Sequence, residues 1–124
     1  MQGYGFKTGV GGEYLAAHNM LRAHARAYRL YERKFKASQK GRVAISLNTH
    51  YYYPLNESSK EDHLAAERAI QFQMGMYAHP IYSKTGDYPP LVRQIVDQNS
   101  AKEGRPRSRL PRFTAQEIED LKGK

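Results

Sequence analysis

At 124 residues, 40% of them hydrophobic, with ten Tyr and four Phe, the chain is long enough for one packed domain and too aromatic for long disorder. It has no cysteine, which excludes disulfides, thiolate nucleophiles and Cys-ligated metals. No apolar run approaches about 18 residues, so no transmembrane helix is expected, while a net charge of +8 raises the question of nucleic acid.

Residues 1–12 are rich in glycine and read as a loop, without the apolar stretch of a signal peptide. From Glu13 to about Ser38 the spacing predicts a helix whose face is His18, Leu21, Ala25, Tyr28 and Phe35. Gly41 is placed to close the connection in a left-handed turn. Arg42 to His50 then reads as a β-strand, with Val43, Ile45 and Leu47 on one face and Ala44, Ser46, Asn48 and His50 on the other. Pro54 ends it. Ser58 with Glu61 is a capping-box signature opening a helix to about Tyr77, with Ala66, Ile70, Met74 and Tyr77 on one face and Pro80 as the stop. Gly86–Asp87–Tyr88–Pro89–Pro90 is a turn. A helix from Pro90 to about Ser100 presents Leu91, Ile95 and Val92. Gly104 to Pro111 reads as a basic linker. Thr114 with Glu117 is a second capping box, with Phe113 and Ile118 placed as its hydrophobic staple, and the last helix ends at Gly123.

One strand cannot satisfy its own backbone N–H and C=O groups. Helices alternating with a strand imply a parallel sheet whose other members lie outside this chain. The strand is apolar on one face, small on the other, and polar toward its end. That pattern suits a barrel strand with functional groups at the C-terminal rim. The expected class is therefore α/β: a mostly helical slice of a larger protein, marginal or aggregation-prone on its own.

Arg22, Arg26, Arg29, Arg33, Lys34, Lys36, Lys40 and Arg42 meet one acid, Glu32, within their stretch, and Lys102, Arg105, Arg107, Arg109 and Arg112 form a second basic cluster. They are read as a solvated helix face and a polar linker, with acidic partners outside the chain, and not as a nucleic-acid surface. No two of His18, His24, His50, His63 and His79 stand four apart, and no metal is expected. Gly9–Val10–Gly11–Gly12 follows no strand and lacks the Lys-Ser/Thr of a P-loop. Glu61, Asp62, Glu117, Glu119 and Asp120 lie where they favour helix termini or exposed turns. No two carboxylates are placed to face each other at the roughly 5 Å a retaining glycosidase needs. Asn56–Glu57–Ser58 is an N-glycosylation sequon, which points to a secreted parent whose export signal lies elsewhere. Asn48 and His50, followed by Tyr51, Tyr52 and Tyr53, offer amide, imidazole and ring faces suited to a sugar or an aromatic aglycone. They read equally well as a strand end whose tyrosines cover a core edge.

Several motifs carry a resemblance: Tyr14–Leu15–Ala16–Ala17–His18–Asn19, Ala23–His24–Ala25–Arg26, Gln39–Lys40–Gly41–Arg42–Val43 leading into Ser46–Leu47–Asn48, Tyr77–Ala78–His79–Pro80–Ile81–Tyr82, Gly86–Asp87–Tyr88–Pro89, and Ser108–Arg109–Leu110–Pro111 before Phe113–Thr114. In order and nearly end to end, the chain resembles glycoside hydrolase family 1, the β-glucosidase and myrosinase group, in its insect form. The resemblance implies a partial (β/α)8 TIM barrel over residues 1–124, with the first helix following barrel strand 4 and Arg42–His50 as strand 5. It implies double displacement on a β-glycoside by two glutamates, in Asn-Glu-Pro and Glu-Asn-Gly motifs, without a cofactor. Neither motif occurs here, so the catalytic residues are expected elsewhere and the isolated chain is expected to be inactive. What carries over is a leaving-group subsite at Asn48, His50 and Tyr51. The family has Trp where Tyr51 stands and Glu where Tyr53 stands, and the glycine-rich opening is shortened. The alternative is a non-catalytic pseudo-enzyme or binding module for sugar or, with less support, nucleic acid.

Overall fold

The structure, a computed structural model, describes Gly9 and residues 11–123. Helix α1 spans Gly12–Lys34, and after a break at Phe35 the short α2 spans Lys36–Gln39. An extended segment leads to α3, Lys60–Ile70, which runs through a π-helical stretch, Gln71–Gly75, into α4, Met76–Tyr82. Helix α5 spans Pro90–Lys102 and α6 Ala115–Leu121.

The core forms where the apolar stripe of α1 meets the other helices. Ala17, Leu21 and Ala25 bury there with Met76 and Ile81 of α4, Val92 and Val96 of α5, Leu121 of α6, and Tyr88, Leu110 and Phe113 from the connections. On the expected face of α1, His18, Leu21 and Ala25 are buried, whereas Phe35 is 41% exposed. Its φ of −121° takes it out of the helix, so the periodicity does not extend to it.

Residues 41–50 keep the alternation of a strand, Val43, Ile45 and Leu47 half-buried and Ala44, Ser46 and Asn48 exposed, and Ile45 packs on the core. No β-strand is present among the described residues, because the segment has no neighbour to share a ladder with. The expected strand is thus corrected to one unpaired extended segment among helices. The left-handed residue before it is Lys40, at φ 52°, and not Gly41. A Cβ on Gly41 would come within 2.8 Å of the Tyr31 hydroxyl, so the glycine gives room for a close approach.

The N-cap of α3 is Ser59, accepting from the Asp62 N–H at 3.2 Å, one residue later than the Ser58–Glu61 signature. Pro80 lies inside α4 and does not stop it. The proline forfeits its own N–H bond and crowds the preceding turn, yet the last turn still closes through Ser83 N–H to His79 O at 2.9 Å. The π stretch shifts the register, so Met76 is buried where a constant period puts Met74, which is 42% exposed. In α5 the buried line is Val92, Val96 and Ser100; Leu91 and Ile95 flank it half-buried.

The stretch 104–111 is packed and not a free linker. The buried Ser100 hydroxyl donates to Val96 O at 2.6 Å and accepts from Arg109 N–H at 3.0 Å. Arg93 donates to Leu110 O and Pro111 O, each at 2.7 Å. Both halves of the Thr114–Glu117 capping box are present. The acidic partners expected elsewhere lie partly within the chain. Arg22 meets Glu117 at 2.6 Å, Arg29 meets Asp120 at 3.8 Å, and Arg29 donates to Glu119 O at 2.9 Å, tying α1 to α6. Arg105 and Arg109 share Glu103, and Arg112 meets Asp97. No helix of the described residues is long and apolar enough to cross a membrane.

Candidate functional site

The extended segment carries Asn48 and His50 past the start of α1 and the junction of the π stretch with α4. Together they line a hollow of about 620 Å³ with Glu13, Tyr14, Ala17, Phe72, Gln73, Met76 and Tyr77. Both proposed ligand-contacting side chains therefore open onto one space, and the even-numbered spacing of the strand explains it: residues two apart share a face. The rings that line this hollow are those of Tyr14, Phe72 and Tyr77. Partial burial raises the phenol pKa of Tyr14, opposed by the nearby Arg109 guanidinium, whose carbon stands 5.8 Å from the ring centroid; burial also raises that of Tyr77. Both hydroxyls stay protonated at neutral pH and can donate or accept.

Tyr51 stands apart from this hollow, 72% exposed and edge-on to Tyr53 at 4.8 Å between centroids. Tyr52 and Tyr53 line a smaller hollow of about 260 Å³ against Asp62, Ala65, Ala66 and Ala69 of α3. Asn56 is exposed, and its side-chain oxygen accepts from Ser58 N–H at 2.9 Å. Glu13 is the single carboxylate lining the hollow of Asn48 and His50. No cluster of three His, Asp or Glu able to hold a metal is present among the described residues.

No spacing rule marks Phe72 and Gln73, since the helical period predicts their faces only if no π turn intervenes. Tyr14 was visible in the first turn of α1, but its approach to residue 48 depends on the path of the extended segment.

The core also holds a buried aromatic stack. His18 sits on Phe113 at 4.3 Å between centroids, Phe113 on Tyr88 at 4.8 Å, and His18 Nδ1 is 3.0 Å from the Tyr88 hydroxyl. Burial lowers the His18 pKa, Glu117 opposes this, and Arg22 and Arg93 add to it. Burial pushes the Tyr88 phenol well up.

The family model of glycosyl hydrolase family 1 matches residues 4–124. Myrosinase 1 of Brevicoryne brassicae is 50% identical over 112 residues, 90% of this chain and 24% of that protein. A cytosolic beta-glucosidase of Cavia porcellus is 48% identical over 117 residues, 94% of this chain and 24% of that protein. The solved structure of an aphid myrosinase superposes with a TM-score of 0.87 at 50% identity, covering 91% of this chain and 24% of the other. The chain thus spans about a quarter of the length of the curated relatives it matches. With the match running from residue 4 to residue 124 and a superposition of that quality, the chain belongs to glycosyl hydrolase family 1.

Proposed function

We propose that this chain is the portion of a retaining β-glycosidase built around barrel strand 5, and that the intact protein hydrolyses O- or S-linked β-glycosides. Residues 1–124 are part of one catalytic domain, with α1 following strand 4 and the 42–50 segment acting as strand 5. The observation that carries the reading is the shared hollow of Asn48 and His50 at the far end of that segment. There an amide and an imidazole can hydrogen-bond hydroxyls of the leaving group while neighbouring rings cover its apolar face; Tyr51, the third residue of the proposed subsite, is exposed and stands apart from the hollow. Asn56, exposed and in a sequon, would carry a glycan in a secreted parent.

Retaining hydrolysis needs a carboxylic acid and a carboxylate nucleophile on opposite sides of the bond. Asn-Glu-Pro and Glu-Asn-Gly are absent from the sequence, so the 124 residues alone should show no turnover of an aryl β-glucoside. Exchanged for the corresponding stretch of the aphid myrosinase, residues 4–124 should support glycosidase activity in the folded chimera. Asn48→Ala in that chimera should raise KM for the aglycone-bearing substrate. A folded but inactive chimera, or turnover by the 124 residues, would contradict the reading. The basic-binder alternative is disfavoured by the in-chain acids that meet Arg22, Arg29, Arg105, Arg109 and Arg112.

A further inference from the structure

The end of α1, helix α2 and the first residues of the extended segment hold Arg33, Lys34, Lys36, Lys40 and Arg42 with no acid between them. All five are exposed. Of these five, among the described residues, only Lys36 forms an ion pair, 3.7 Å from Glu32, an acid it shares with Arg29. In the other basic stretches Arg22, Arg29, Arg105, Arg109 and Arg112 meet Glu117, Asp120, Glu103 and Asp97. The α1 macrodipole accounts for cations in its last turn, Arg33 and Lys34, but not for Lys40 and Arg42 beyond it.

We propose that this strip is a docking surface for a flexible linear polyanion, a sulfated polysaccharide. The cations are strung along the chain and do not converge on a hollow, which suits a row of fixed charges better than one phosphate. The strip bends at Phe35, with φ −121°, and again at Lys40, with φ 52°. A flexible glycan can follow that path, whereas a nucleic-acid duplex, with a persistence length of about 50 nm, touches part of it. Phe35 is the one aromatic among the five cations, too few for stacked single-stranded bases. Leu30 and Phe35, 42% and 41% exposed, are a small apolar area for insertion into a membrane. The strip lies at the start of the extended segment, and residue 48 follows residue 42 at about 3.3 Å per residue, roughly 20 Å away. A polyanion held there leaves the Asn48–His50 hollow open. This inference does not rest on the glycosidase reading.

The test is titration of the full chain with a heparin octasaccharide at several salt concentrations. Lys34→Gln/Lys40→Gln should weaken binding about fivefold or more and flatten its salt dependence. Lys102→Gln/Arg107→Gln, an equal loss of exposed charge, should leave it within about twofold, with far-UV helicity unchanged in both. Absent binding, equal weakening by the two pairs, or tighter binding of a duplex DNA or of anionic phospholipid vesicles at matched charge would overturn the proposal.

Discussion

Arg93 holds the 108–113 stretch against α5. Its guanidinium donates to two consecutive carbonyls, lies 5.3 Å from the Tyr88 ring centroid, and faces Asp87 and Asp97 at 3.9 and 3.8 Å. Arg93→Met keeps the apolar stem but leaves Leu110 O and Pro111 O without a donor, and should cost about 3 kcal/mol in denaturant unfolding. Nothing in the sequence marks this residue, since its partners lie 17 and 18 residues away on irregular backbone. His18 was placed on the apolar face of α1 by its spacing, but its hydroxyl partner was not legible, because Tyr88 is 70 residues distant. Folding makes His18 harder to protonate than its ordinary value of 6.5. The unfolded chain therefore binds more protons below that pH, and the stability present above it falls away as the pH drops. Glu117, held low first by the Thr114 backbone hydrogen bond and then by Arg22, adds a second loss below its ordinary 4.5. Melting temperature followed from pH 8 to 4 should decline below about 6.5, and His18→Phe should flatten that first decline.

Among the elements, α6 shows what local rules and tertiary contacts each supply. Its capping box was readable from Thr114 and Glu117 alone, and it forms. Its docking was not readable: Leu121 is fully buried, and the acids around it meet Arg22 and Arg29 of α1, about 90 residues earlier in the chain. Those ion pairs are partly exposed and weak individually, so apolar burial should dominate. Leu121→Ala should cost about 3 kcal/mol, against under about 1 kcal/mol for Arg22→Gln, as read by chemical denaturation. Gly86 adds to the same junction: at φ 70°, a Cβ there would come within 2.8 Å of Ile118 Cγ2. The exposure of Met74 in place of Met76 has a single cause. A π turn shifts every later residue on a helix, and no spacing rule reveals it in advance.

Across the whole molecule, the helices bury a core of their own while the extended segment and its surroundings stay open. Tyr51, Tyr53 and Leu55 are 72%, 79% and 99% exposed, and Leu64 and Met74 add to that apolar surface. The alternation of residues 43–47 was legible because it needs only local pattern; the missing ladder was legible because one strand cannot make one. Hydrogen–deuterium exchange on the dilute monomeric chain reports on that orphaned segment. Amides of residues 42–50 should exchange at nearly unprotected rates while those of α1 and α5 are retained. Protection of residues 42–50 equal to that of α1 in the monomer would mean a self-contained sheet, and would contradict the account.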